Sequence, residues 1–284
     1  MTVKRVGIVG SGIMGSGIAE VAAKAGFEVV LRSRAQSTAD AMVAGLEKSL
    51  AKQVDRGKLE AAERDAVLGR VRAVTDLREL SECDLVIESI VEDLETKKHL
   101  FTELDRICPE HAILATNTST LPVVEMAMNT GRPDKVCGVH FFNPAPMMAL
   151  VEVVRAITSS DSTIDDAVAF ATTCGKNAVQ VKDQAGFIVN ALLFPYLNNA
   201  VRLFDAGVAT RDDIDAAMKG GCNFPMGPLE LLDLVGLDTS LAILEALYAE
   251  FKDPNYAPAP VLRRMVSAER LGRKSGVGFY EYKR

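Results

Sequence analysis

No tryptophan occurs among the 284 residues, and histidine occurs only three times, so imidazole chemistry must draw on His99, His111 or His140. Cysteine is scarce and scattered: Cys83, Cys108, Cys137, Cys174 and Cys222 are odd in number and never form a C-x-x-C pair. A disulfide framework and a zinc site of ordinary spacing are therefore not expected; neither is any other metal centre, and a reducing cytoplasm fits. Basic residues are outnumbered, with 32 Lys and Arg against 38 Asp and Glu, a net charge of −6. That balance speaks against a nucleic-acid-binding surface, while leaving room for a local basic pocket. No uninterrupted apolar run is long enough to cross a bilayer. The opening MTVKRVGIVG meets a turn glycine too early for a secretory h-region. Internal repeats and low-complexity tails are also missing.

What is there is an ordinary globular composition, 48% hydrophobic and 25% charged, with length enough for two domains. In the first half, short β-rich runs alternate with longer amphipathic stretches, the pattern of a parallel sheet flanked by helices. Strands are expected at Arg5–Val9, Glu28–Arg32, Val71–Val74, Leu85–Glu88, Ile113–Ala115, Val136–Phe141 and Ala149–Arg155. Helices are expected from Ile13, across Ala35–Arg56 and across Thr163–Cys174. Beyond Lys182-Asp183-Gln184-Ala185-Gly186 nearly everything reads helical. Phe187–Phe204 is apolar on more than one face, as a helix buried in part by a second subunit would be. The turn-forming Asn223-Phe224-Pro225-Met226-Gly227-Pro228 precedes another helix near Leu229–Leu234. The boundary is placed near residue 184, giving domains at 1–184 and 185–284.

Gly10-Ser11-Gly12-Ile13-Met14-Gly15 matches G-x-G-x-x-G. Alone it is a glycine-rich turn; after an apolar strand, before a helix and followed by a second strand, it is a dinucleotide-binding fingerprint. Its first glycine permits the tight turn, the second lets the backbone approach a pyrophosphate, and the third lets helix and strand pack closely. The fold expected is thus α/β, a Rossmann-type, mostly parallel sheet domain followed by an all-helical C-terminal domain. About 20 residues beyond the fingerprint an acid normally holds the adenosine ribose. Here Val29-Val30-Leu31-Arg32-Ser33-Arg34 puts serine between two arginines. Guanidinium groups bond phosphate, and serine does not repel it, so NADP(H) is favoured with NAD(H) possible. The plainer reading is that both arginines point into water and Ser33 bonds the ribose of NAD.

His140 ends the strand Val136–Phe141, where open sheets place ligands. Glu152 lies inside the apolar run Leu150-Val151-Glu152-Val153-Val154 and needs a partner. An imidazole is the available one, and together they make a proton shuttle; a purely structural contact between adjacent strands remains the alternative.

The segments GIVGSGIMGSGIAEV, DLVIESIVEDLETKK, ATNTSTLPV, GVHFFNPAPMMALVEVV, KDQAGFIVNALLFPYLNNAVRL, NFPMGPLELLDLVGLD and GRKSGVGFYEY resemble the 3-hydroxyacyl-CoA dehydrogenase family from end to end. The likeness is strongest to its stand-alone 3-hydroxybutyryl-CoA dehydrogenases. It implies a catalytic His140–Glu152 pair, with Ser119 and Asn190 holding the reacting oxygen. It places cofactor contacts at Glu92, Lys97, Ser119, Asn143 and Lys274, and puts the family's ribose-binding aspartate at Ser33. Coenzyme A contacts fall on Ser49 and Arg56, with Lys52 a turn from Ser49; an exposed charged face is the alternative for Lys52 and Arg56. Ser119 also touches substrate. The implied substrate is a short-chain acyl-CoA, acetoacetyl-CoA or (S)-3-hydroxybutyryl-CoA, and the implied assembly a homodimer. His99 and His111 read as surface residues.

Two rivals differ in kind. The 6-phosphogluconate/3-hydroxyisobutyrate dehydrogenases also join such a glycine loop to a helical domain, but they use a lysine four residues before an asparagine, where this chain has Gly186 before Asn190. A catalytically silent NADP-binding protein would lack the acid–base pair, and both His140 and Glu152 are present.

Overall fold

The β-rich runs of the first half assemble into one eight-stranded sheet. The computed structural model describes residues 3–282, and the chain divides into two units, Met1–Gln184 and Ala185–Arg284. The first contains β1 (Arg5–Val9), α1 (Ile13–Lys24), β2 (Glu28–Arg32), α2 (Gln36–Asp55), α3 (Ala61–Gly69) and β3 (Val71–Val74). It continues with β4 (Leu85–Glu88), α4 (Leu94–Ile107), β5 (Ile113–Thr116), α5 (Val123–Ala127), β6 (Val136–Phe141), β7 (Leu150–Arg155), α6 (Asp161–Thr173) and β8 (Asn177–Lys182). Each strand expected from the sequence is present within a residue of the expected bounds. The additional strand β8 is an edge, largely exposed along its length, so it lacks the apolar run that marks its neighbours.

Strand order is β3-β2-β1-β4-β5-β6-β7-β8. Neighbours from β3 through β6 are parallel, β6 and β7 are antiparallel, and β7 and β8 are parallel. Burial explains the unbroken apolar strands: every residue of β4, β5 and β6 is buried, as expected where helices cover both faces. The core joins Ile8, Ile18, Leu31, Ile87, Val139 and Phe170. After β1 the chain builds outward through β2 and β3, then returns to the other side of β1 as β4. That reversal leaves a crevice at the C-terminal ends of β1 and β4, where open α/β sheets bind ligands. The β6–β7 connection is too short for a parallel crossover, so β7 runs back along β6 and pairs Glu152 opposite His140.

The second unit is helical: α7 (Val189–Asp205), α8 (Arg211–Cys222), α9 (Pro228–Val235), α10 (Leu237–Phe251) and α11 (Pro260–Ser267). Thr210 caps α8 by accepting from the Asp213 amide, and left-handed Asn223 ends it. Phe194, Leu197, Leu229, Leu232, Leu244 and Leu262 form its core. Two buried carboxylates bind the final segment to this core. Asp215 accepts from the amides of Leu229 at 2.8 Å and Glu230 at 2.9 Å, and from the Tyr280 hydroxyl at 2.8 Å. Asp233 accepts from the amides of Phe279 at 2.9 Å and Tyr280 at 2.8 Å and from the Tyr282 hydroxyl at 3.0 Å. Burial holds the Asp233 carboxyl above the usual carboxylate range despite those bonds, and pushes the Tyr282 phenol up to about 12.

Truncating Asp233 strands three donors at once. Asp233→Ala is therefore expected to cost the second unit about 2–4 kcal/mol, since losing one partner of a buried charged hydrogen bond costs more than the bond's net worth. Urea unfolding followed by circular dichroism checks this; a midpoint equal to that of the parent protein would show that the tail is held by apolar packing alone.

Candidate active site

The glycine loop shows by its own sterics what it is built around. Gly10 has φ +136°, and a Cβ there would sit 2.2 Å from the Ser89 carbonyl oxygen. A Cβ on Gly15 would sit 2.2 Å from the Gly10 carbonyl oxygen. Both glycines are demanded by the fold itself. Gly12 differs: nothing of the protein lies within 4 Å of a Cβ placed there. It caps α1 without any side-chain hydrogen bond, and Ser11, Gly12 and Ile13 are exposed. The first amides of α1 thus face open space beside a helix N-terminus, a cradle that suits a pyrophosphate. Met14 instead packs against the core.

At the end of β2, Ser33 is 2% exposed. Its hydroxyl bonds that of Thr38, and Thr38 donates onward to the Ala35 carbonyl at 2.8 Å. A hydroxyl has one proton, so Ser33 is the donor of that pair and its proton is engaged. The Ser33 proton is thus held within the protein at the turn into α2. Arg32 is half-buried and gives its Nε to the Thr75 carbonyl at 3.1 Å; burial lowers its pKa, and the neighbouring Arg34 lowers it further. Arg34 is exposed.

On the other side of β1 the strand ends carry a charged cluster. Fully buried Glu88 accepts from Lys97 Nζ at 2.6 Å, the Ile90 amide at 2.6 Å and the Thr116 hydroxyl at 2.7 Å. Lys97 is 1% exposed, and its ammonium also lies 3.2 Å from Glu92. Glu92 accepts from the Thr118 hydroxyl at 2.5 Å and from the Ser119 amide at 3.1 Å. Ser119, Glu92 and Lys97 are therefore brought together, with Lys97 enclosed by carboxylates. Glu88 and Thr118 escape the sequence reading, although an acid inside the apolar run LVIES is the signal that singled out Glu152.

His140 and Glu152 meet where the β6–β7 register puts them. His140 Nδ1 and Glu152 Oε2 are 2.7 Å apart, with 6% and 0% of the residues exposed. The Phe142 ring stands 4.5 Å from the imidazole, and Asn117 Oδ1 accepts from the Phe141 amide at 2.8 Å. The connecting loop, with exposed Asn143, is held by Lys176. That ammonium donates to the carbonyls of Ala145 at 2.7 Å and Met148 at 2.8 Å, and burial lowers its pKa. Lys176 also escapes the sequence reading, because nothing in a surface-looking lysine announces carbonyl partners. His111 is exposed yet bonds Asp84 at 3.1 Å; His99 is exposed on α4.

Between α1 and α2 runs a groove of about 380 Å³ that begins at Ser11 and Gly12 and ends at Ser49. The Ser49 hydroxyl donates to Glu20 Oε2 at 2.9 Å, and buried Glu20 also holds Lys24 and Gln53. Lys52 and Arg56 are exposed. In the second unit, Asn190 lies in the first turn of α7, 8% exposed, while Lys274 pairs with Asp238 at 2.5 Å. Four of the thiols are held from reacting: burial pushes Cys108 up to about 11, and Cys83, Cys137 and Cys174 up to about 12, and a thiol reacts as its thiolate. Cys222 is exposed. Among the described residues no helix is long and apolar enough to cross a membrane.

A mostly parallel sheet with a glycine cradle at its switch point and a histidine–glutamate pair at a strand end is an arrangement that suits a dinucleotide-dependent enzyme. Residues 5–184 match the model of the 3-hydroxyacyl-CoA dehydrogenase NAD-binding domain, and residues 186–282 that of the 3-hydroxyacyl-CoA dehydrogenase C-terminal domain. The chain belongs to the 3-hydroxyacyl-CoA dehydrogenase family. It is 48% identical over 282 residues to a 3-hydroxybutyryl-CoA dehydrogenase of Mycobacterium tuberculosis (strain CDC 1551 / Oshkosh), covering 99% of each chain. To that of Clostridioides difficile it is 47% identical over 278 residues, covering 98% of this chain and 99% of the relative. The crystal structure of (S)-3-hydroxybutyryl-CoA dehydrogenase from Ralstonia eutropha superposes with a TM-score of 0.97 at 41% identity over 100% of both chains. Membership sets aside the 6-phosphogluconate/3-hydroxyisobutyrate alternative.

The two kinds of glycine separate in experiment. Gly12→Ala is expected to keep the parent melting temperature and lose about tenfold or more in cofactor affinity, because its methyl enters only the cradle. Gly15→Ala is expected to lose stability as well, as overpacking against a backbone carbonyl costs about 1–3 kcal/mol. Thermal melts beside cofactor titrations check both; equal effects of the two variants would mean that Gly12 lines no ligand site.

Proposed function

We infer that this protein is a 3-hydroxybutyryl-CoA dehydrogenase, interconverting acetoacetyl-CoA and (S)-3-hydroxybutyryl-CoA. The observation that carries the reading is the buried His140–Glu152 contact at 2.7 Å in a chain of this family. Glu152 orients the ring through Nδ1 and offsets the positive charge the imidazole gains when it takes a proton. In the oxidative direction His140 takes the proton of the 3-hydroxyl on Nε2; in reduction it gives that proton back. A bound nicotinamide nucleotide would supply the hydride acceptor for C3, or in reverse the donor. Ser119 and Asn190 are proposed to bond the reacting oxygen and hold C3 in range. Main-chain groups of Gly10–Gly15 would hold the pyrophosphate; Glu92, Lys97, Asn143 and Lys274 belong to the nicotinamide half, with Lys97 acting through Glu92. Ser49, Lys52 and Arg56 are proposed for coenzyme A, and the groove from Ser11 to Ser49 supports a ligand along α1 and α2.

NADP(H) is the proposed preferred cofactor, with NAD(H) second. Supporting it are the missing acid at Ser33 and the adjacent guanidinium groups of Arg32 and Arg34, whose mutual repulsion a 2′-phosphate would relieve. A homodimer is part of the reading: Leu192 and Leu203 on α7 and the nearby Val208 are 72%, 47% and 67% exposed, more apolar surface than a lone helix keeps in water. A cytoplasmic location rests on the unpaired, scattered cysteines.

Steady-state reduction of acetoacetyl-CoA and of free acetoacetate tests the activity. The thioester is expected to be far the better substrate, because remote binding energy positions the reacting centre. His140→Ala and Glu152→Ala are expected to bind cofactor normally and lose about 10²–10⁴-fold in turnover. Comparable kcat/KM for the two substrates would reject the acyl-CoA reading. Parent protein that binds cofactor without turning over either substrate would favour the silent binding protein.

Cofactor choice has its own measurement, kcat/KM with NADPH and NADH at low and high salt. NADPH is expected to be used at least as well as NADH. Ser33→Asp should reverse the preference by about tenfold or more, since a hydrogen bond to a charged group contributes roughly 1.5–3 kcal/mol. Added salt should weaken the NADPH advantage. A strong preference of the parent enzyme for NADH would mean that Arg32 and Arg34 are merely solvated.

A further inference from the structure

The proton shuttle gives the buried carboxylate of Glu88 no task. Glu88 is fully enclosed, and its partner Lys97 is shared with Glu92. Two carboxylates on one ammonium carry a formal charge of −1. Neutralising a buried charge needs one partner, not a partner and a surplus. A surplus charge walled in by protein on one side is poorly screened and acts over a longer range than one in water.

Its position gives it something to act on. Glu88 ends β4 and precedes Ser89, whose carbonyl closes against Gly10 of the phosphate cradle. A dinucleotide lies across the switch point in two halves. The ribose-binding position at the end of β2 assigns the adenosine half to the β2 side, which leaves the ends of β4 and β5 for the nicotinamide half. That ring is cationic when oxidised and neutral when reduced, and nothing else about the cofactor changes its charge there.

We propose that the Glu88–Lys97–Glu92 cluster makes the protein select the redox form of its cofactor, binding the oxidised, cationic nicotinamide more tightly than a neutral cluster would. Glu88 is a positioning residue in this scheme: it fixes Lys97, which fixes Glu92, and it supplies the surplus charge without touching the ligand. Reduced cofactor, 3-oxoacyl thioester and a proton interconvert with oxidised cofactor and 3-hydroxyacyl thioester. Favouring the bound oxidised form therefore draws the reaction on the enzyme toward the hydroxy product. The inference rests on the dehydrogenase reading above.

Binding separates a charge effect from a packing effect. With no tryptophan in the chain, the nicotinamide fluorescence of the reduced cofactor can be titrated without indole interference, and the oxidised form followed by calorimetry. Glu88→Gln is expected to weaken the oxidised form roughly 5- to 10-fold more than the reduced form, as removing one unit charge near a cation at an intermediate dielectric does. Glu92→Gln, at a more exposed position, should move the ratio of the two Kd values the same way, and it carries the test if Glu88→Gln does not fold. Thr116→Val removes a hydrogen bond from Glu88 without changing charge, so its ratio should stay at the parent value. Equal weakening of both forms by the two glutamine variants overturns the proposal, as does a shifted ratio in Thr116→Val alone. Parent protein that binds neither form overturns it together with the dehydrogenase reading; parent protein that binds both, with a ratio unmoved by charge, overturns it alone.

Discussion

An ionised side chain inside this molecule must meet its counterpart within hydrogen-bond reach, and most of the site is a consequence of that requirement. Glu152 in the middle of β7 is tolerable only because β6 puts His140 opposite it. Slipping the pairing by one residue would point the two side chains to opposite faces. Exposure does not choose the register here, because every residue of β6 and the stretch Val151–Val154 of β7 are buried. The strands are thus committed to one register by the His140–Glu152 contact itself. The same requirement shapes the second unit, where Asp233 and Asp215 collect amide and phenol donors from distant stretches of chain.

The sheet's topology decides where such pairs are useful. Reversal of strand order between β1 and β4 brings the glycine cradle, the end of β2 and the ends of β4 and β5 to one edge. None of these elements is long: β4 and β5 have four residues each. Precision there comes from polar ties across strand ends, such as Thr116 to Glu88 and Asn117 to the Phe141 amide. Lys176 extends the principle to the loop beyond His140, giving one buried ammonium to two backbone carbonyls. A loop held at its backbone in this way keeps its exposed side chains, Asn143 and Met147 among them, free for contact with a ligand.

Much of this was legible in the sequence because it rests on period and punctuation. Parallel strands buried on both faces read as apolar runs, and the glycine spacing reads directly as a phosphate loop. The pairing of His140 with Glu152 followed from asking what an acid in an apolar strand needs. Less legible were elements stabilised by context. Strand β8 is an exposed edge, and α4, with one buried face and many charges, resembles a solvated segment until Phe101 and Leu104 are seen in the core. Glu88 was open to the reasoning applied to Glu152, but its partner lies on the following helix rather than on a neighbouring strand, so no strand pattern pointed to it. Ser33 was singled out as a departure, and its hydrogen bond to Thr38 depends on the turn into α2, which composition does not specify.

That last detail bears on how the departure should be understood. The position is 2% exposed, so an aspartate there would be a buried carboxylate requiring either a ligand or protein donors. Serine is satisfied within the protein, because Thr38 accepts its proton and passes its own to Ala35. The site therefore carries no unpaired acid at this point. Burial lowers the Arg32 pKa and the neighbouring Arg34 lowers it further, while Glu103 and Asp76 act the other way. The end of β2 is thus satisfied at its serine and flanked by two guanidinium groups, one half-buried and one exposed.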